Sequence, residues 1–285
     1  MSLRERFGSY AIRLLLFLVF CILYFGSAHI LKKEADISFI LIFIPPLLLY
    51  HYKFADQGLI PTSLPRKAAW GILIYFVLYF FLIFKITLLG ASIIYWLVQF
   101  LIPIAILKSY GGSLDSISFD FKNIFKDFRI VLFSCLWLTP FLLYGIEDSE
   151  KILPMVTTVK FYIYLPLSIL FMVVVAAFWE EFFFRGAIQT SLLSVFNSSF
   201  EIPVFLSSIF FGIYHFPFRY LNPKSPFFQD FFGSLASNIS EQFLMGIFLG
   251  YVVYRSRNVW HGIWLHAFMN GISFVYKISQ MIKFN

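Results

Sequence analysis

Long runs of apolar residues, separated by short polar turns, dominate the chain. A helix that spans a bilayer needs about 17–25 mostly apolar residues, so each such run is predicted to be a membrane helix. The predicted spans are roughly 9–31, 37–52, 67–89, 91–108, 129–146, 161–183, 202–218, 233–254 and 259–280. The run 37–52 is short and contains two prolines. The pattern predicts an all-α polytopic membrane helix bundle with about 8–9 transmembrane helices and short interfacial helices.

The distribution of basic residues predicts the orientation of this bundle. The segment 147–151, "EDSEK", is mostly acidic and is assigned to an outside loop. The positive-inside rule then favours a cytoplasmic N-terminus. The loops assigned to the inside contain Arg4, Arg6, Lys53, Arg66, Lys67, Lys108, Lys122, Lys126, Arg129, Arg255 and Arg257.

The composition supports a single membrane domain. Hydrophobic residues make up 60% of the 285 residues and charged residues only 13%, against about 45–50% and 25% in soluble domains. No polar stretch is long enough for a soluble domain, so residues 1–285 are predicted to form one multi-pass domain. The net charge of +7 is attributed to basic loops near an anionic membrane surface. With no lysine-rich run and no RNA-binding aromatic motif, a nucleic-acid partner is not expected.

Two shorter segments are predicted to lie at the membrane interface. In 113–128, "SLDSISFDFKNIFKDF", apolar residues alternate with Asp and Lys. This pattern favours a short amphipathic element, although a solvated connector would show the same alternation. The segment "GAIQTSLLSVF", residues 186–196, is predicted to be a second interfacial helix.

The strongest chemical signal is the stretch "FWEEFFFRG", at the end of an apolar run. On a helix, Glu181 and Arg185 are one turn apart and can pair, whereas Glu180 points about 100° away. Three charged residues in the bilayer would cost on the order of 8–10 kcal/mol without compensation. A helix end among lipid headgroups would explain the Glu181–Arg185 pair, but it leaves Glu180 without a role.

Two further apolar helices carry polar side chains. His215 lies near the end of its run, and taken alone it is more typical of a satisfied core or interfacial histidine. His266 and Asn270 are four residues apart and share one face, while His261 faces elsewhere. A hydrogen-bonded pair between helices would also explain His266 and Asn270.

If all three helices turned these polar side chains towards one common cavity, none of the side chains would have to face lipid. A carboxylate, two histidines and a carboxamide form a set able to activate water and to stabilise an oxyanion. We therefore predict that Glu180, His215, His266 and Asn270 are catalytic, and that Glu181 and Arg185 support them.

Three motifs in chain order resemble those of the CPBP family, also called the Abi family, which includes type II CAAX prenyl endopeptidases. They are "EEFFFR" (180–185), "FGIYH" (211–215) and "HAFMN" (266–270). The resemblance covers about 165–275. It implies an intramembrane endopeptidase that cleaves a membrane-associated protein or peptide. The size of the chain and its lack of appended domains suit a multi-pass protein of a prokaryotic inner membrane.

Several alternatives to this function and mechanism stay open. A cofactor-free mechanism with Glu180 as the general base is favoured, but Glu180, His215 and His266 could instead bind zinc. A non-proteolytic membrane scaffold or bacteriocin-immunity protein of the same family is the competing function. A proton-coupled transporter is disfavoured, because the chain shows no inverted repeat.

Overall fold

The computed structural model describes residues 3–31, 40–55, 64–89, 92–145, 149–196 and 200–282. Within these ranges all regular structure is helical, which confirms the predicted all-α fold. The first residues of the predicted 37–52 span, 37–39, lie outside the described residues.

We number ten helices within the described ranges. They are α1 Leu3–Ile30, α2 Ile44–Lys53, α3 Arg66–Leu89, α4 Ser92–Ser109, α5 Phe128–Gly145, α6 Ser149–Val156, α7 Val159–Phe196, α8 Glu201–Tyr220, α9 231–256 and α10 Val259–Met281. Two 3₁₀ turns, Leu114–Ile117 and Phe121–Asn123, lie between α4 and α5. Of the described helices, α1, α3, α7 and α8 contain stretches long and apolar enough to cross a membrane. The protein is therefore a membrane helix bundle.

Helix α7 runs without a break for 38 residues and is wider than a regular α-helix in two places. The π-helical segments Val173–Ala177 and Phe182–Gln189 flank a single α-helical turn, Phe178–Glu181. A π turn closes hydrogen bonds five residues apart and is frequent at functional sites. The turn that carries both glutamates is thus held between two segments of unusual geometry.

The second half of α7 corrects one prediction from the sequence. Residues 186–196 do not form a separate interfacial helix but continue α7. Every residue from Phe182 to Leu192 is buried, and Gln189 donates a 3.0 Å hydrogen bond to the backbone carbonyl of Gly250 in α9. Gln189 is thus satisfied by a neighbouring helix, and Thr190 and Ser191 donate to carbonyls within α7.

The segment 113–128 packs onto the start of α10. Its apolar side chains divide between two environments, because Ile117 and Phe119 are buried whereas Phe121 and Phe125 are exposed. Its backbone carbonyls accept hydrogen bonds from side chains of α10 and from Asn258, the residue that caps α10. The hydrogen bonds run from Asn258 to Asn123 O (2.9 Å), from Trp260 to Asp120 O (3.0 Å), from His261 to Lys126 O (2.7 Å) and from Trp264 to Ile124 O (3.0 Å). The segment is therefore not a solvated connector but two 3₁₀ turns packed onto α10, and its position at the membrane interface stays a prediction.

Two glycines let α10 lie close to α7. A Cβ atom on Gly271 would meet Ile169 at 2.9 Å, and one on Gly262 would meet the Glu181 carboxylate at 2.9 Å. Small residues at a crossing allow two backbones to approach in a membrane. Ser168 uses this closeness to donate a 2.7 Å hydrogen bond to the carbonyl of Gly271. His266 lies between these two contacts.

Several basic loops lie at one end of the bundle. Arg255, at the end of α9, donates hydrogen bonds to the carbonyls of His51 and Phe54 at the end of α2. Asn258 joins the same end to the segment between α4 and α5. This clustering is what the positive-inside argument requires. The cytoplasmic location of that end stays a prediction.

Asn258 offers a test of how firmly the start of α10 is held. Its Oδ1 accepts the backbone N–H of Trp260 as a helix cap, and its Nδ2 donates to Asn123. An N-cap contributes about 1 kcal/mol and a hydrogen bond a similar amount. We expect Asn258→Ala to lower the melting temperature of the purified protein by several degrees. Asn258→Asp keeps the cap and loses the donor, so its melting temperature should fall by less. Equal decreases for the two variants would contradict separate contributions from the cap and from the hydrogen bond to Asn123.

Candidate active site

Three helices bring Glu180, His215 and His266 together. Oε2 of Glu180 lies 3.6 Å from Nε2 of His215 and 3.8 Å from Nε2 of His266. The three side chains come from α7, α8 and α10. The convergence proposed from the sequence is therefore present in the fold.

The orientation of His215 follows from a break in α8. The α-helix ends at Tyr214 and resumes at Phe216, where Pro217 provides no backbone N–H. The N–H of His215 bonds to Gly212 O at 3.2 Å instead of continuing the α-helical pattern. The Phe211 carbonyl is then available to the imidazole, whose Nδ1 lies 2.8 Å away. Because a carbonyl only accepts, Nδ1 carries the proton and Nε2 faces Glu180.

Glu181 contacts α10 as well as its predicted partner Arg185. Its Oε1 lies 3.1 Å from Nη1 of Arg185 and 2.8 Å from Nδ1 of His266. An ionised carboxylate only accepts hydrogen bonds, so Nδ1 of His266 is the donor. Glu181 therefore fixes the tautomer and ring orientation of His266. The sequence predicted the pair with Arg185 but not this contact, which depends on how α10 packs.

Arg185 is buried beneath the site. Its guanidinium lies over the ring of Phe211, 4.2 Å from the centroid, a cation–π arrangement. The contact with Glu181 is a charge pair and not an aligned hydrogen bond, since no guanidinium nitrogen meets hydrogen-bond geometry. A buried pair of this kind matters mainly because each charge would be costly alone.

Within the described part of the chain, the site is open on the side of Glu180 and His215. Their side chains are 17% and 18% exposed, whereas Glu181, Arg185 and His266 are almost completely buried. Solvent or a substrate can therefore reach the Glu180 carboxylate and Nε2 of His215. The residues behind them are shielded from water.

The remaining polar residues of α10 differ in position. Asn270 is one turn beyond His266 and is partly accessible. Within the described part of the chain it makes no hydrogen bond to Glu180, His215 or His266, so its amide is available to another group. His261 is buried and bonded to Lys126, outside the candidate site, in agreement with its predicted orientation.

Two residues that shape the site had no assigned role in the sequence interpretation. Phe211 supplies both the carbonyl that orients His215 and the ring beneath Arg185. Gly262 leaves space for the Glu181 carboxylate against α10. The spacing offers a signal for both, because each lies four residues before a site histidine and so shares its helical face.

The fixed tautomers define what the site can do chemically. With Nδ1 protonated on both rings, a neutral His215 or His266 presents an Nε2 lone pair towards Glu180. Glu180, Glu181 and Arg185 together carry one net negative charge, which one added proton on an imidazole would balance. The arrangement is suited to moving protons around one water-sized position.

Glu180, His215 and His266 are residue types that can bind zinc. In zinc sites each ligating histidine typically has its other ring nitrogen held by an acceptor, as His215 and His266 have here. Among the described residues, no group of three or more His, Cys, Asp or Glu side chains is arranged to hold a metal ion.

The comparison with protein families agrees with this geometry. Residues 162–272 match the family model described as type II CAAX prenyl endopeptidase Rce1-like. The match includes all six predicted site residues and confirms the resemblance to the CPBP family. It supports a CAAX-type intramembrane endopeptidase in general terms. No curated protein and no solved structure shows a significant match to the chain.

Removing Arg185 tests the buried network. Arg185→Gln leaves the Glu181 carboxylate buried without its counter-charge, and breaking such a pair typically costs about 3–5 kcal/mol. We expect a large fall in melting temperature, measured by thermal unfolding in detergent.

The double variant Glu181→Gln/Arg185→Gln provides the matched control. It removes both charges and should recover part of the lost stability. A single variant that is as stable as the double variant would contradict the charge-pair interpretation.

Proposed function

We propose that the protein is an intramembrane endopeptidase in which Glu180 and His215 activate a water molecule. The observation that carries this proposal is the convergence of Glu180 Oε2 on the Nε2 atoms of two histidines from two other helices. The partial exposure of Glu180 and His215 supports it, because a water molecule must reach them.

The geometry suggests how the water is oriented. An oxygen placed beside Glu180 Oε2 and His215 Nε2 can donate one hydrogen to each, since both atoms then act as acceptors. Its lone pair is left pointing away from the protein groups. Glu180 then accepts the proton as the water oxygen attacks the carbonyl carbon of the substrate.

His266 and Asn270 are proposed to stabilise the oxyanion that forms. The donor from His266 must be Nε2–H, because Nδ1–H is used by Glu181. His266 would therefore act as an imidazolium, whose charge balances the one net negative charge of Glu180, Glu181 and Arg185 together. The partly accessible amide of Asn270 supplies a second donor. A single such donor is worth about 2.7–4 kcal/mol in well-studied hydrolases.

Collapse of the tetrahedral intermediate completes the reaction. The proton held on Glu180 passes to the nitrogen of the departing amine, and the C–N bond breaks to give a carboxylic acid and an amine. No acyl-enzyme is required. Glu180 returns to its carboxylate form, ready for another water molecule.

The proposed substrate is a membrane-associated protein or peptide in a prokaryotic inner membrane. The position of Glu180 within α7, a helix able to span the bilayer, supports a substrate that reaches the site from the membrane or its border. We retain the cytoplasmic N-terminus as part of this proposal.

Replacement of the general base tests the proposal directly. Glu180→Gln preserves shape and removes the proton acceptor, so we expect cleavage to fall by about 100- to 10,000-fold. Comparative peptidomics of membranes that contain wild type or Glu180→Gln measures this loss and also identifies substrates. Glu150→Gln, the same change in the exposed start of α6, is the matched control and should behave as wild type.

The same experiment separates the enzyme from a non-proteolytic scaffold or immunity protein. If Glu180→Gln folds normally and every peptide terminus and biological effect of wild type persists, the protease proposal fails. A protein terminus that appears only with wild type and Glu150→Gln supports it.

Zinc dependence needs its own measurement. We expect purified protein without bound zinc to cleave a substrate found by peptidomics, and chelation with EDTA to leave the rate unchanged within about twofold. Stoichiometric zinc whose removal abolishes cleavage, and whose return restores it, would overturn the glutamate mechanism in favour of a zinc site at Glu180, His215 and His266.

A further inference from the structure

A large apolar groove lies between α1, α2, α8 and α9. Its volume is about 400 Å³, within the range of pockets that enclose small ligands. Aliphatic and aromatic side chains form nearly all of its wall, among them Leu16, Phe20, Phe43, Ile247 and Phe248. We call it the α1–α9 groove.

Charged residues line one end of this groove. Arg13 and Glu201 both belong to the lining, and Nε of Arg13 lies 2.8 Å from Oε1 of Glu201. Glu201 is the first residue of α8, whose stretch Glu201–Tyr220 is able to span the membrane, and the ion pair holds Arg13 at the same level. This position places the pair at the depth of lipid headgroups, where arginine is favoured.

The ion pair leaves binding capacity on both partners. The Arg13 side chain is 55% exposed, so guanidinium donors beyond Nε are accessible. Oε2 of Glu201 is buried and makes no hydrogen bond among the described residues. Glu201 therefore holds Arg13 in place, and the arginine keeps further donors for another acceptor.

The other polar groups at this end make its charge positive. Tyr251 lines the groove and its hydroxyl lies 2.8 Å from Nδ1 of His51. Arg255, one turn further along α9, is fixed by the carbonyls of His51 and Phe54. Among these groups, Arg13 and Arg255 against Glu201 give a net charge of +1.

An apolar wall alone cannot select an occupant inside a bilayer, because lipid tails are as apolar as leucine. Selection must come from the charged end. A phosphodiester group with one negative charge complements the net charge of +1, and arginine binds phosphate oxygens with strong charge-assisted hydrogen bonds.

We propose that the α1–α9 groove binds an anionic phospholipid. One acyl chain occupies the apolar part of the groove, and the phosphate contacts the exposed guanidinium of Arg13. The phosphate and Glu201 then compete for the same arginine, which makes Glu201 a restraint on binding.

The headgroup end of the groove is separate from the candidate active site. Glu201 and His215 lie at opposite ends of the α-helical part of α8. With a rise of about 1.5 Å per residue, they are about 21 Å apart. The groove therefore adds a lipid site to the protein and does not depend on the proposed proteolysis.

Native mass spectrometry of the purified protein tests the proposal, with phosphatidylglycerol and phosphatidylcholine as the two probes. The lipids carry matched acyl chains, so they differ in headgroup charge alone. We expect wild type to retain phosphatidylglycerol at least about tenfold better, since tenfold corresponds to about 1.4 kcal/mol, the low end for a hydrogen bond to a charged group. Equal retention of the two lipids would overturn the proposal.

We expect three substitutions at the charged end of the groove to change the preference for phosphatidylglycerol in different directions. Arg13→Ala should abolish the preference for phosphatidylglycerol, Arg13→Lys should restore most of it, and Glu201→Gln should increase it by removing the competing carboxylate. Arg129→Ala removes an exposed positive charge at the start of α5 and should leave the preference unchanged.

A groove variant and a folding control complete the design. Ile247→Trp fills the apolar wall and should lower the binding of both lipids. Melting temperatures identify any variant that fails to fold. If well-folded Arg13→Ala keeps the wild-type preference, or if Arg129→Ala loses it equally, the assignment of Arg13 is wrong.

Discussion

Glu181 places a fully buried carboxylate in contact with a guanidinium from its own helix and an imidazole from α10. Neither the carboxylate nor Arg185 is tolerable alone in this apolar interior, because an unpaired buried charge costs several kcal/mol. The contact of the paired Glu181 carboxylate with His266 then fixes how α7 and α10 meet. Gly262 makes the contact possible, since any larger side chain would occupy the space of the carboxylate. The position of His266 follows from this contact.

The rest of the bundle keeps that contact in place. Ser168 and Gly271 hold α7 to α10 on the far side of His266, while Asn258 and Trp260 secure the segment between α4 and α5 over the start of α10. In a bilayer every backbone polar group must find a partner within the protein. The irregular segment between α4 and α5 is therefore stable because α10 supplies hydrogen-bond donors to it. The break in α8 at His215 is stable because the His215 side chain bonds to the carbonyl that the break frees.

The packing of these helices divides the site into a buried half and an accessible half. Glu181, Arg185 and His266 are shielded, so their electrostatic interactions are stronger than they would be in water. Glu180 and His215 remain accessible, as a water-activating pair requires. Adjacent positions on one helix thus serve different purposes because α7 faces the buried network on one side and the accessible side of the site on the other.

The sequence by itself determined the all-α membrane class, the motifs shared with the CPBP family, and the pairing of Glu181 with Arg185, because these depend on composition and on spacing along one helix. It could not determine that 186–196 continue α7, since Gln189 is satisfied by α9, nor that Glu181 orients His266. Those outcomes depend on contacts between residues distant in sequence. Glu180 stood out in the sequence as a charge without a partner on its own helix, and only the packing of α8 and α10 showed which histidines face it.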